Sequence, residues 1–224
     1  SYIHKHQEIG NEPTAMSYTG NDMVMWTELM SRMLVAGGVN MTTVFQLAIS
    51  GQGCPASLGV CNGARQAGAT LVPGDGDNMI QQLELIKDFG VTGIFAAPDY
   101  LLALGQEMRR AGNKAEELPL QMIFCDAEAL GDNECQTIKA EYGIKALKIY
   151  GIDSVFGMAI GGECHCGDGL HLEEDCFYPE IIHPMSGQVL LPGEIGELVL
   201  TSLSLEAMPM IRYRTGIEGY LDNS

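Results

Sequence analysis

Apolar and polar positions along the first two-thirds of the chain alternate between a helical and a strand period. Val24, Leu29, Met30, Met33 and Leu34 recur close to helical spacing, with Met25 and Trp26 widening the stripe. This predicts a helix over residues 22–36, capped by Thr19 or Asn21 and stopped at Gly37-Gly38. Residues 43–49 form an apolar run that reads as a buried strand, followed by a glycine-rich loop and a helix to Gln66. The same alternation then repeats. Strands are predicted at 70–72, 92–96, 120–124 and 146–150, and helices at 79–89, from Pro98 to about 112, and 132–142. Ile80, Leu83, Leu85 and Ile86 are the apolar positions of the 79–89 helix. Residues 1–18 read as an extended or looped entry.

After residue 157 the helical period disappears. Residues 177–182, 197–202 and 211–214 are short strand patterns separated by Pro/Gly turns. The prediction is an α/β fold with a mainly parallel sheet flanked by helices over residues 1–156, then a smaller β-rich subdomain, a partial barrel, over 157–224.

Composition narrows the function classes. Of 224 residues 46% are apolar, enough for a core, and the formal net charge is −17. That charge argues against a nucleic-acid partner and against an anionic membrane surface. The apolar stretches are all shorter than a membrane span, and with no secretory leader in view the seven cysteines are expected as thiols of a cytoplasmic protein. His4 and His6 near the start read as solvated rather than as a metal site, which needs about four ligands.

The turn at Tyr150-Gly151-Ile152-Asp153-Ser154 ends the last parallel strand, where α/β folds place nucleotides and acyl groups. Together with Phe177-Tyr178-Pro179-Glu180-Ile181-Ile182-His183-Pro184, Gly193-Glu194-Ile195-Gly196-Glu197, Glu206-Ala207-Met208-Pro209 and Ile211-Arg212-Tyr213-Arg214-Thr215-Gly216, it closely resembles the phenylacetate–CoA ligases of the adenylate-forming, AMP-binding superfamily. The resemblance extends upstream through Ala97-Pro98 and Asp126-Ala127-Glu128.

That resemblance implies ATP, Mg²⁺ and CoA as cofactors and a small aryl or acyl acid as substrate. The acid attacks the α-phosphate of ATP to give an acyl-adenylate, and CoA then displaces AMP. Carried over residue by residue, it implies nucleotide or acyl contacts from Asp126, Ala127, Glu128, Tyr150, Gly151, Arg212 and Arg214. Several positions depart from the family pattern. Glu12 stands where the phosphate loop has Lys, Ser154 where the Mg²⁺-binding Glu belongs, and Ile217 where an Asp holds the ribose hydroxyls. Residues 49–54 correspond to an aromatic acyl-pocket segment and carry no aromatic side chain. The mobile C-terminal domain with its adenylation Lys is expected to be absent.

Removing these groups together removes several kcal/mol of transition-state stabilisation each, on the order of magnitude of a lost charge-stabilising donor. The expectation is therefore a ligase core impaired as this chain alone. The alternative is a non-catalytic paralogue acting as a homo-oligomer, a partner subunit or a binding module. A separate cluster, Cys164, Cys166, His171 and Cys176, offers soft ligands for structural zinc, with His165 competing for the imidazole position. A hairpin with half-buried thiols is the plainer account of the same residues.

Overall fold

The computed structural model describes residues 2–6, 14–48, 55–74, 78–152, 156–166 and 169–222. The chain divides into two compact units. Unit 1 comprises residues 1–24, 152–155 and 172–224, and unit 2 comprises residues 25–151 and 156–171.

Unit 2 carries the alternating pattern. Its strands are β3 (Val44–Ala48), β4 (Thr70–Pro73), β5 (Gly93–Ala96), β6 (Met122–Asp126), β7 (Ala146–Ile152) and β8 (Gly157–Gly162). Strand β9 (His171–Leu172) completes a seven-stranded sheet of order β4-β3-β5-β6-β7-β8-β9, and the four pairings β3/β4, β3/β5, β5/β6 and β6/β7 are parallel. The sheet thus continues past residue 157, where the sequence pattern changes. Between the strands run α2 (Pro55–Gln66), α3 (Met79–Asp88), α4 (Pro98–Arg110) and α5 (Asp132–Tyr142), as the periodicity predicts.

Alternation along the strands gives the sheet two buried faces. Ile94, Ile123 and Cys125 join Leu83, Ile86, Leu101, Leu104, Met108 and Ile138 in one core, fed by α3, α4 and α5. Phe124 points the other way and meets Phe45, with ring centroids 5.9 Å apart. Gly37 lies so close to Phe124 that a Cβ there would collide with the ring.

Helix α1 (Gly20–Ala36) buries Trp26, Leu29, Met30 and Leu34 completely, each worth roughly 1.5–3 kcal/mol as removed apolar surface. Trp26 Nε1 donates to the Met158 carbonyl at 2.8 Å, and its ring lies 5.8 Å from that of Phe156. Glycine at 59 and 157 makes room for that indole, since a Cβ at either position would press on it. Two expected core positions point outward instead: Val24 is 70% exposed and Ile80 56% exposed. Each sits at the edge of its stripe, where a small rotation of the helix decides the outcome.

Unit 1 contains β10 (Phe177–Ile182), β11 (Gly196–Ser202) and β12 (Tyr213–Gly219), an antiparallel three-stranded sheet in that order. An antiparallel strand pair, β1 (Tyr2–His6) with β2 (Thr14–Tyr18), lies in the segment expected to be an extended or looped entry. Its pairing registers Tyr2 against Tyr18, and the two rings lie 6.2 Å apart.

The start of α1 resolves the capping alternatives in favour of Thr19. Its N–H donates to Asp22 Oδ2 at 2.8 Å, and the Asp22 N–H donates back to Thr19 Oγ1 at 3.1 Å. This reciprocal box satisfies two amide donors at the helix entrance.

Candidate functional site

In unit 2 the strand order reverses between β3 and β5. The crevice outside the carboxyl ends of such strands is where doubly wound sheets bind ligands. The segments leaving that edge follow β3, β4, β5, β6 and β7. Residues 49–54, residues 75–77, and residues 153–155 with Asp153 and Ser154 lie outside the described residues, as does Glu12.

What is described at this edge is shaped by backbone bonds. Asp126 ends β6, and its Oδ1 accepts the Glu128 N–H at 2.9 Å, tightening an Asx turn. The Ala127 N–H donates to the Ile149 carbonyl at 2.9 Å, and the Leu130 N–H to the Asp126 carbonyl at 3.1 Å. Asp126, Ala127 and Glu128 therefore form a turn at the end of β6 anchored on β7. Tyr150 is buried within β7. Gly151 must be glycine, because a Cβ there would run into the Gly157 carbonyl oxygen and the Met158 Cα. The structure brings the 126–128 turn and the Tyr150-Gly151 pair to the same sheet edge.

Beneath this edge the Cys125 thiol is quiet. Burial pushes the Cys125 thiol up to about 12, with Cys135 and Asp126 adding to the effect. Such a thiol is a small core side chain rather than a nucleophile.

In unit 1, Arg214 lies on β12 with its fork already engaged. Its Nε lies 3.1 Å and 3.0 Å from the two carboxylate oxygens of Glu197, and Nη2 donates to Glu197 and to the Pro184 carbonyl, the latter at 2.9 Å. The Arg214 hydrogen bonds, against a smaller opposing effect of burial, hold the Glu197 carboxyl below its ordinary range. Arg212 pairs with Glu180 at 3.1 Å. Ile217, two residues beyond Thr215, presents an aliphatic side chain, and its N–H donates to Thr215 Oγ1 at 3.1 Å.

The sequence-predicted metal residues fall into two places. Cys164, Cys166 and His171 belong to unit 2, and Cys176 is buried just ahead of β10 in unit 1. His171 Nε2 lies 3.3 Å from Cys164 Sγ, and the Cys166 N–H donates to the same sulfur at 3.3 Å. Among the described residues no three metal-ligating side chains converge.

Sequence reasoning missed one polar centre of unit 1. Asp22 is 1% exposed and accepts from the N–H groups of Glu206 (2.9 Å) and Ala207 (3.1 Å) besides that of Thr19. The Glu206 carboxylate in turn accepts from Thr19 Oγ1 (2.7 Å) and Asn21 Nδ2 (2.8 Å). The Thr19-x-x-Asp22 spacing is a capping-box signal that could have revealed half of this network.

No protein-family model matches the chain. It is 37% identical over 214 residues to the phenylacetate-coenzyme A ligase of Pseudomonas putida, covering 95% of this chain and 49% of that protein. It is also 37% identical over 215 residues to the phenylacetate-coenzyme A ligase of Escherichia coli (strain K12), with 95% and 49% covered. The chain thus spans about half the length of the curated relatives it matches. Among solved structures, an open 2-hydroxyisobutyryl-CoA ligase in complex with 2-HIB-AMP and CoA superposes with a TM-score of 0.88 at 18% identity, over 100% of this chain and 49% of that one. A long-chain-fatty-acid-CoA ligase from Archaeoglobus fulgidus gives 0.74 at 15% identity, over 98% and 49%. At these identities the structures establish the shared fold.

Proposed function

Because the chain belongs to the phenylacetate–CoA ligase family of adenylate-forming enzymes, we propose that it is an adenylation core for a small aryl or acyl acid, impaired in ATP chemistry when it acts alone. The full reaction activates the acid as an acyl-adenylate and passes it to CoA. Positioning and charge neutralisation drive both steps. The 126–128 turn and Tyr150-Gly151 supply the nucleotide and acyl contacts at the sheet edge.

The observation that carries the impairment is on β12. Ile217 stands at the position the family gives to the ribose-binding Asp, and an aliphatic side chain accepts no hydrogen bond. The neighbouring Arg214 fork is held by Glu197 and Pro184. Glu12 and Ser154 act in the same direction in the sequence, by setting a carboxylate against triphosphate and removing a Mg²⁺ ligand.

ATP–pyrophosphate exchange with phenylacetate is the test. The expected result is no exchange above a no-enzyme blank. Exchange that depends on both acid and Mg²⁺ would overturn the impairment.

A second reading, a subunit that works by assembly, is favoured by apolar side chains in unit 1: Met185, Leu191, Ile195 and Ile211 are all largely exposed. Light scattering showing a clean monomer at high concentration would count against it.

A further inference from the structure

The segment between β10 and β11 is tightly built and yet turns apolar side chains outward. His183 Nδ1 accepts the N–H groups of Met185 and Ser186 at 3.2 and 3.3 Å. The Gly187 N–H donates to the His183 carbonyl at 2.9 Å, and the His183 N–H to the Gln188 carbonyl at 2.8 Å. Val189 then bridges to Ile182, and the Leu190 N–H donates to the Ile181 carbonyl at 2.8 Å. Further on, Glu194 Oε2 accepts the Leu191 N–H at 2.7 Å. The Gly193 N–H donates to the Leu221 carbonyl at 2.9 Å, which draws the residues after β12 alongside.

These bonds hold the backbone without help from the large side chains. Met185, Val189, Leu191 and Ile195 are exposed, from 52% at Val189 to 91% at Met185, and Tyr220, next to Leu221, is 60% exposed. A loose loop would fold such side chains inward; this one presents them in fixed positions. Fixed Met, aliphatic and Tyr side chains suit a protein interface, because little loop entropy is left to lose on docking.

The surroundings carry charge of one sign. Residues 172–224 hold nine acidic residues, two arginines and no lysine, a formal −7. Both arginines are spent within the stretch, Arg212 on Glu180 and Arg214 on Glu197. With −17 on the whole chain, a second copy would bring like charge to the same patch, which opposes self-association.

From these observations we propose that the 183–195 segment, with Tyr220, docks a different polypeptide, one whose apolar groove or helix face is rimmed by lysine or arginine. Apolar contact supplies the affinity, and the opposite charge steers the encounter and rejects a second copy. The proposal rests on the assembly reading above and adds the chemistry of the partner. It is independent of ATP chemistry.

The test uses the full chain and a fluorescent synthetic amphipathic helix of about 18 residues, or about five turns, with leucine on one face and lysine on the other. A twin with glutamate in place of lysine is the control, and light scattering gives the oligomeric state of the chain. The expected result is a monomer that binds the Leu/Lys helix saturably at micromolar concentration, more weakly as salt rises, and does not bind the Leu/Glu twin. The double substitution Leu191→Ser with Ile195→Ser should weaken binding by about tenfold or more. Both side chains are exposed, and circular dichroism checks that the fold is unchanged. Equal affinity of the folded double variant, or equal binding of the twin, would overturn the proposal. So would a stable homodimer, which leaves the assembly reading standing with a second copy as partner. A monomer that binds neither helix would remove both.

Discussion

Replacing Asp22 with Ala should destabilise the protein more than any other single loss of a polar side chain described here. In the folded chain this carboxylate is 1% exposed and accepts three backbone N–H groups, from Thr19, Glu206 and Ala207, at 2.8–3.1 Å. Truncation removes one half of the α1 capping box, about 1 kcal/mol. It also leaves the Glu206 and Ala207 donors without an acceptor in a partly buried place, about 1–3 kcal/mol each. The expected total is about 3–7 kcal/mol, read as a fall in the urea midpoint at unchanged slope. Asp22→Asn keeps one acceptor oxygen and should lose about half as much.

The carboxyl also confers a pH dependence. Burial pushes its pKa up, but the amides of Glu206, Thr19 and Ala207 and the Thr19 hydroxyl together bring it below the ordinary 3.8. Because the folded value lies below the unfolded one, this contribution is complete above pH 3.8 and disappears as pH falls through the folded value. Glu206 moves in the same direction, held low first by Asn21 and then by Thr19. Wild-type stability should therefore drop in acid with a component that Asp22→Ala lacks. A variant within 0.5 kcal/mol of wild type at pH 7, or one with an unchanged acid limb, would refute the network's role.

Two backbone positions give further predictions. Ala159 lies in β8 at φ 82°, a region L-residues rarely enter, and is completely buried. The roughly 1–2 kcal/mol left-handed strain outweighs the extra entropy of glycine, so Ala159→Gly should stabilise by about 0.5–1 kcal/mol and raise the thermal midpoint. Gly151→Ala drives a methyl into the Gly157 carbonyl and the Met158 Cα. It should cost at least about 3 kcal/mol, seen as loss of soluble protein or an early unfolding transition.

Periodicity made the parallel sheet legible. Residues 93–96 carry no polar side chain and residues 146–150 are broken only by Lys148, because both faces of the sheet are covered, and α5 ends at Gly143 with φ 70°, as a helix-stopping glycine should. Strand β8 was harder to read, since Gly157, Gly161 and Gly162 carry no side-chain pattern. Its packing against Trp26 is what fixes it. The β1–β2 pairing was hidden because pairing between strands is not written in either strand alone. At the site, the family resemblance pointed to Asp126, Tyr150 and Arg214 as expected contacts. That the Arg214 fork is occupied by Glu197 depends on β11 lying beside β12, a contact between residues 17 apart. Asp22 escaped attention because its partners at 206–207 lie far along the chain.

Calorimetric titration of the chain with ATP in the presence of Mg²⁺ tests the central claim most directly. On the proposed reading, in which the family resemblance assigns Ile217, Ser154 and Glu12 to the ribose, Mg²⁺ and phosphate contacts, the chain should give no binding heat below millimolar ATP. Saturable binding in the micromolar range, a difference of about 4 kcal/mol, would contradict it and show that the nucleotide site is intact.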